Sequence, residues 1–227
     1  MDKAEQEQLL AHAVNATGPY NLALAASQHH LHLTHISTDY VFAGDEKSPY
    51  NEEAICQPSS IYGTTKLQGE KKILSTLDTA CIIRTSWLFG LNGKNFVLTM
   101  LDLMQKREIL KVVSDQTGCP TFCSDLANII IALLNHQGIF HFCNSGVTSW
   151  HTFALTIAEQ GLQLGYPLII KSIQPIATAE YPTPAKRPAY SVLDTTKIER
   201  TLNYCPRLWQ ESLLDYLQQL QLKQPSS

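Results

Sequence analysis

Apolar and polar positions along this chain switch between a helical period and short extended runs. Between residues 4 and 28, Leu9, Leu10, Ala13, Val14, Leu22 and Ala25 supply one helical face. Gly18-Pro19 falls in the middle and predicts a kink, or a restart with proline in the first turn. Residues 32–37 read as a strand, and 43–59 as a polar, turn-rich surface loop. A helix is expected over 60–75, a buried strand over 80–85, and a further helix over 96–105. Next come a helix from 124 to about 135 with Ser124 as its cap, a strand over 138–143, and a helix over 148–162 with Ser149 as cap. A short strand is expected at 168–173. Residues 181–188 hold three prolines, which excludes regular helix or central strand. Helices at 195–202 and 209–222 close the chain, followed by a frayed tail from 223. Strands alternating with helices predict an α/β fold.

Composition narrows the picture. The chain has 227 residues, 44% hydrophobic and 16% charged, enough to bury a sizeable core. A formal net charge of −3 makes no electrostatic case for nucleic acid. The charged start, Met1-Asp2-Lys3-Ala4-Glu5, lacks the apolar core of a signal peptide. The apolar stretch at 129–134 is far short of the ~20 residues that cross a bilayer. A cytoplasmic protein with no membrane partner is expected. Six cysteines form no CxxC pair and no zinc pattern, so buried free thiols are expected and no metal site. His29, His30 and His32 read as a solvated helix end rather than a metal cluster.

The chemistry concentrates at Tyr62 and Lys66. Four residues apart on a helix, they share one face about one turn apart. A phenol titrates near ~10, and a nearby ammonium lowers that value. Such a pair suits proton transfer to a carbonyl or alcohol oxygen. A bare four-residue spacing is common by chance and by itself marks an ordinary amphipathic helix. Gly63 and Gly69 are unfavourable inside that helix by about 1 kcal/mol each. Their presence implies that cofactor or a neighbouring element approaches closely at Gly63. Thr38 falls at the C-terminal end of the 32–37 strand, where ligands of open α/β sheets bind. Arg84 reads as structural.

The runs ISTDYVFAG, SPYNEE and QPSSIYGTTKLQGEKKIL, between 36 and 74, resemble the extended short-chain dehydrogenase/reductase family. Further likeness lies in IIRTSWLFG at 82–90, KNFV at 94–97, VSDQTGCPTFCSDLA at 113–127 and KRPAYSVLDTTK at 186–197. Within that family the likeness is to reductases that turn dTDP-6-deoxy-L-lyxo-4-hexulose into dTDP-L-rhamnose with NADPH or NADH. The resemblance implies an incomplete doubly wound, Rossmann-type parallel sheet with a smaller C-terminal α/β lobe. It implies a catalytic part at 1–115 and a mainly substrate-binding lobe at 116–227, with some exchange of chain between them. It casts Tyr62 as proton donor, Lys66 as its electrostatic partner and ribose holder, and Thr38 as a bond to the reacting oxygen. Asn15 and Ser37 join Tyr62 and Lys66 at the cofactor. Asp39, Tyr40, Trp87, Asn95 and Arg187 join Thr38 at the sugar nucleotide.

Complete members of this family open with a strand, a glycine-rich turn and a helix that cradle the cofactor pyrophosphate. No GxGxxG or GxxGxxG pattern precedes Thr38 here. The expectation is therefore an active-site half without most of the cofactor half. It would work as a homodimer or beside a complementary N-terminal polypeptide, or it is a truncated fragment. The competing reading is a non-catalytic partner resembling the regulatory beta subunit of methionine adenosyltransferase.

Overall fold

The computed structural model describes residues 1–223. Helices α1 (Asp2–Gln6), α2 (Gln8–His12) and α3 (Gly18–Gln28) lead to strand β1 (Thr34–Thr38), helix α4 (Ile61–Thr76) and strand β2 (Cys81–Thr85). Then come β3 (Leu88–Phe89), α5 (Phe96–Met104), β4 (Ile109–Val113), β5 (Thr117–Gly118), β6 (Thr121–Phe122) and α6 (Cys123–Ala132). The chain continues through β7 (Gly138–His141), β8 (Thr148–Ser149), α7 (Trp150–Gln163), β9 (Ser172–Ile176), α8 (Thr196–Leu202) and α9 (Trp209–Lys223). Residues 224–227, most of the expected tail, lie outside the described residues.

The central sheet has order β1-β2-β7, all parallel, with Thr38 beside Thr85 at its carboxyl end. Successive β2 side chains point to opposite faces. Ile82 packs with Ala23 and Ala26 of α3, Ile73 of α4 and Leu77 just after it. Cys81 and Ile83 pack with Leu126, Ile129 and Ile198 of α6 and α8. Helices thus cover both faces, which is why every residue of β2 is buried, Arg84 included. The expected α/β class with a parallel sheet is the observed one.

Two-stranded pairings β4–β9, β3–β6 and β5–β8 surround a second core. There Phe89, Phe122, Phe153, Trp209 and Tyr216 are wholly buried against α5, α7 and α9.

Several local expectations shift. The first helical run breaks at Glu7 (φ −114°, ψ 56°), and α3 restarts at Gly18 with Pro19 in its first turn, as expected, with Gly18 keeping helical angles. Residues Ala13–Thr17 form a π-helical turn, a widening often found at functional sites. Ser124 does not cap α6, which starts one residue earlier behind an extended Phe122. Ser149 does cap α7, accepting from the Thr152 amide. The late strand sits at 172–176 rather than 168–173, paired parallel with β4. Strand β4 escaped the sequence reading, although its alternation of exposed Ile109 and Lys111 with buried Leu110 and Val112 carries the signal. Cys81, Cys119 and Cys143 are buried free thiols, but Cys123 and Cys205 are exposed. His29, His30 and His32 are exposed, and no metal-binding cluster occurs among the described residues.

Candidate active site

Three elements meet at the carboxyl end of β1. The strand delivers Thr38, whose hydroxyl oxygen caps the following turn by accepting from the Tyr40 amide at 3.3 Å. The same hydroxyl donates to Asp39 Oδ1 at 2.9 Å. Helix α4 starts behind Ser60, which accepts from the Gly63 amide at 3.1 Å. That start places Tyr62 in the first turn, edge-on to Tyr40 with ring centroids 5.7 Å apart.

Gly63 makes this approach feasible. A Cβ there would lie 2.1 Å from the Tyr40 carbonyl oxygen, so the close neighbour is the backbone of the β1 exit turn. Gly69 does the same one face over, where a Cβ would lie 2.1 Å from the Asn15 carbonyl oxygen. The two glycines therefore seat α4 against the exit turn and the π-helical turn together. Asn15, in that turn, donates from its amide to Thr65 Oγ1 at 3.1 Å.

The electrostatics depart from the simple expectation. Burial pushes the Tyr62 phenol up, a hydrogen bond with Thr38 pulls it down, and the Asp39 charge pushes it up again. Lys66 does not depress it in this arrangement. Its ammonium is turned to β1, 2.6 Å from the Ile36 carbonyl and 3.0 Å from His35 Nε2. Burial lowers Lys66 to about 8, opposed by Glu70. Asp39, buried, is raised to about 6, chiefly by burial, with hydrogen bonding by Thr38 pulling the other way. Tyr40 is raised to about 12, burial first and Asp39 next, and its phenol oxygen accepts from Arg187 at 3.2 Å.

Arg187 also grips both Asp2 oxygens, at 2.8 and 2.7 Å. Tyr40 and Arg187 line a cleft of about 790 Å³ together with Phe96, Arg107, Gln116 and Trp150. Trp87 has a positive φ of 47° and stacks flat on Trp150, centroids 3.5 Å apart. Trp150 is the ring of that pair on the cleft wall, and its indole N–H donates to Gln116 at 3.1 Å. Asn95 spends both ends of its amide on the fold: Oδ1 accepts from the Leu98 amide, while Nδ2 donates to the Gly90 carbonyl at 2.8 Å. Arg84 forms a buried pair with Glu70 at 2.7 Å, in keeping with a structural role.

Thr38, Asp39, Tyr40 and Tyr62 thus gather at the carboxyl end of β1, with Arg187 on Tyr40, while Lys66 reaches the middle of the strand and Asn15 is tied to Thr65 of α4. Trp87 stands behind Trp150, and Asn95 caps α5. His35, Gln116, Trp150 and Arg107 were not singled out in the sequence. A tryptophan at a helix start reads as core, and only its capped position after Ser149 marks it as surface-facing.

The chain as a whole matches known proteins in sequence and in fold. The model of the RmlD substrate binding domain matches residues 1–222. The chain belongs to that family. Within reach of the RmlD family model stands the spore coat polysaccharide biosynthesis protein SpsK of Bacillus subtilis, 43% identical, covering 96% of this chain and 75% of the relative. A crystal structure of a dTDP-4-dehydrorhamnose reductase from Clostridium acetobutylicum is 41% identical with a TM-score of 0.90. It covers 97% of this chain, which spans 77% of that one. The Bacillus anthracis dTDP-4-dehydrorhamnose reductase, solved in complex with NADP, is 35% identical with a TM-score of 0.90, over 96% of this chain and 76% of its own.

Proposed function

We propose that this chain carries the catalytic and sugar-nucleotide-binding parts of a dTDP-4-dehydrorhamnose reductase. The reaction is reduction of the C4 keto group of dTDP-6-deoxy-L-lyxo-4-hexulose to dTDP-L-rhamnose. The carrying observation is the approach of Thr38, Tyr62 and Lys66 to one strand of a parallel sheet, beside a cleft lined by Tyr40 and Arg187.

The Tyr62 phenol delivers the proton to the C4 oxygen. Its raised pKa keeps it protonated until charge develops on that oxygen. The Thr38 hydroxyl, which pulls the phenol's pKa down by hydrogen bonding, would donate to the same oxygen once its proton turns away from Asp39 Oδ1. Asp39, Tyr40 and Arg187 bind the sugar diphosphate. The Arg187 fork suits a phosphate pair, which would displace the half-exposed Asp2 from a pair of modest worth. Trp150, backed by Trp87, walls the nucleotide end of the cleft.

NADPH, or NADH, supplies the hydride when bound. The residues fit such a group. Ser37 Oγ is buried with no partner, and so is Asp39 Oδ2. Ser37, Lys66, Asn15 and Tyr62 would hold the nicotinamide end. The proposal keeps the division into a catalytic part at 1–115 and a substrate lobe at 116–227, with β7 exchanged into the central sheet. No helix among the described residues is long and apolar enough to cross a membrane, and the proposed setting is the cytoplasm. Among the described residues β1 has a neighbour on one side alone. Its other edge is proposed to pair with a strand of a glycine-rich cofactor-binding segment, or with the same edge of a second copy in a homodimer.

The test is reductase activity in a protein that includes that segment. Tyr62→Phe lowers kcat by about 10²–10⁴ while NADPH still binds. Lys66→Met weakens turnover and cofactor binding together. Small, equal effects of the two changes would instead support the non-catalytic partner reading.

A further inference from the structure

Lys66 is held from its own strand neighbour. Its ammonium carries three N–H donors and no acceptor. One donor goes to the Ile36 carbonyl at 2.6 Å, and the approach of His35 Nε2 at 3.0 Å takes a second. Because an ammonium can only donate, the His35 nitrogen facing it must accept. That requires a neutral ring with its proton on Nδ1. Two acceptors on consecutive residues of β1 thus fix a flexible side chain of α4, and one N–H remains for a ligand.

We propose that His35 is a positioning residue for Lys66: it accepts a hydrogen bond on Nε2 and holds the ammonium in place with one donor free. Burial and the Lys66 charge both favour neutral His35 and lower its pKa to about 4, so the acceptor persists across the working pH range. The other charges near Lys66 are Glu70 on its own helix, which raises its pKa, and Arg84 on β2, which is paired with that same Glu70. Neither gives the ammonium a hydrogen bond, so the direct acceptors are those on β1. The functional consequence rests on the catalytic reading of Lys66; the hydrogen-bond geometry does not.

The experiment uses His35→Leu, which removes the acceptor, and His35→Gln, whose side-chain amide oxygen reaches where Nε2 lies. The midpoint of Lys66 acetylation against pH, read by mass spectrometry on dilute protein, reports its pKa without activity. Leucine lowers that midpoint by about one pH unit, the scale of a hydrogen bond to a charged group. Glutamine restores it. In unmodified protein, ¹⁵N-coupled spectra of His35 show the Nδ1–H form. An Nε2–H form, an unmoved midpoint in the leucine variant, or no rescue by glutamine overturns the proposal. In an active reductase the leucine variant also lowers kcat/KM for NADPH about tenfold, and glutamine recovers it. If the labelling shifts appear in a protein that never reduces the keto sugar, the catalytic reading fails and the positioning of Lys66 by His35 stands.

Discussion

The two ends of this chain treat apolar side chains in opposite ways. Around α5, α7 and α9, rings close on each other: Phe153 touches Phe89, Phe96, Trp150 and Trp209, with no exposed surface of its own. Along α2 to α3, Leu9 is 90% exposed, and Val14 and Leu22 are 62% and 60% exposed. Both regions have helical periodicity in the sequence. What separates them is whether an element of this chain covers the apolar stripe. Amphipathic pattern records that a face was built to be covered, and only the three-dimensional arrangement shows what covers it.

That contrast can be broken at its strongest point. Phe153→Ala removes a ring from the closed core and costs about 3–5 kcal/mol, read as a lower denaturation midpoint. A loss below about 1 kcal/mol would mean the lobe is no more closed than the helical layer.

The seam between the regions is probed by pH. Asp39, raised from 3.8 to about 6, binds its proton more tightly folded than unfolded. Its contribution is fully present below pH 3.8 and is lost as pH rises through about 6. His35 and His141, lowered to about 4 and about 3, act in the opposite direction over an overlapping window. The readout is therefore the difference between Asp39→Asn and the unaltered chain. The asparagine variant gains roughly 3 kcal/mol relative to wild type between pH 4 and 7. A pH-independent difference would show Asp39 to be less isolated than its burial implies.

Gly63→Ala presses a methyl on the Tyr40 carbonyl and costs about 1–3 kcal/mol, with Tyr62 displaced; equilibrium unfolding measures it. The smallest effect belongs to the open layer. Leu9→Gln with Leu22→Gln changes stability by no more than about 0.5 kcal/mol while reducing self-association in light scattering. A large loss of stability there would mean that the stripe is already covered within the chain.

Much of the site was legible where one element carries the chemistry. Tyr62 and Lys66 share a helix, so spacing alone places them, and the glycine beside Tyr62 announced a close neighbour. Thr38 was legible as a strand end. Contacts formed between distant elements were not legible. The partnership of Trp87 with Trp150 joins residues 63 positions apart, which no local period encodes. The direction of the Lys66 ammonium depends on the register of β1 beneath α4, and spacing on α4 says nothing about it. The π-helical turn at Ala13–Thr17 shares the apolar residues of an ordinary helix, so the visible signal, Gly18-Pro19, marked the restart of α3 and not the widened turn before it. Pro175 blurred the late strand, because a proline is tolerated there only where its missing donor faces away from the β4 pairing.

The stacked indoles have one more consequence. Two identical chromophores lying nearly parallel, 7° apart in plane, share their electronic excitation. Their transitions mix, and the protein carries a built-in optical signature that either ring alone would lack. Because one of the two rings forms the cleft wall, a nucleotide base sliding against it would perturb both at once. Occupancy of the cleft would therefore register in absorbed and emitted light, with no label attached.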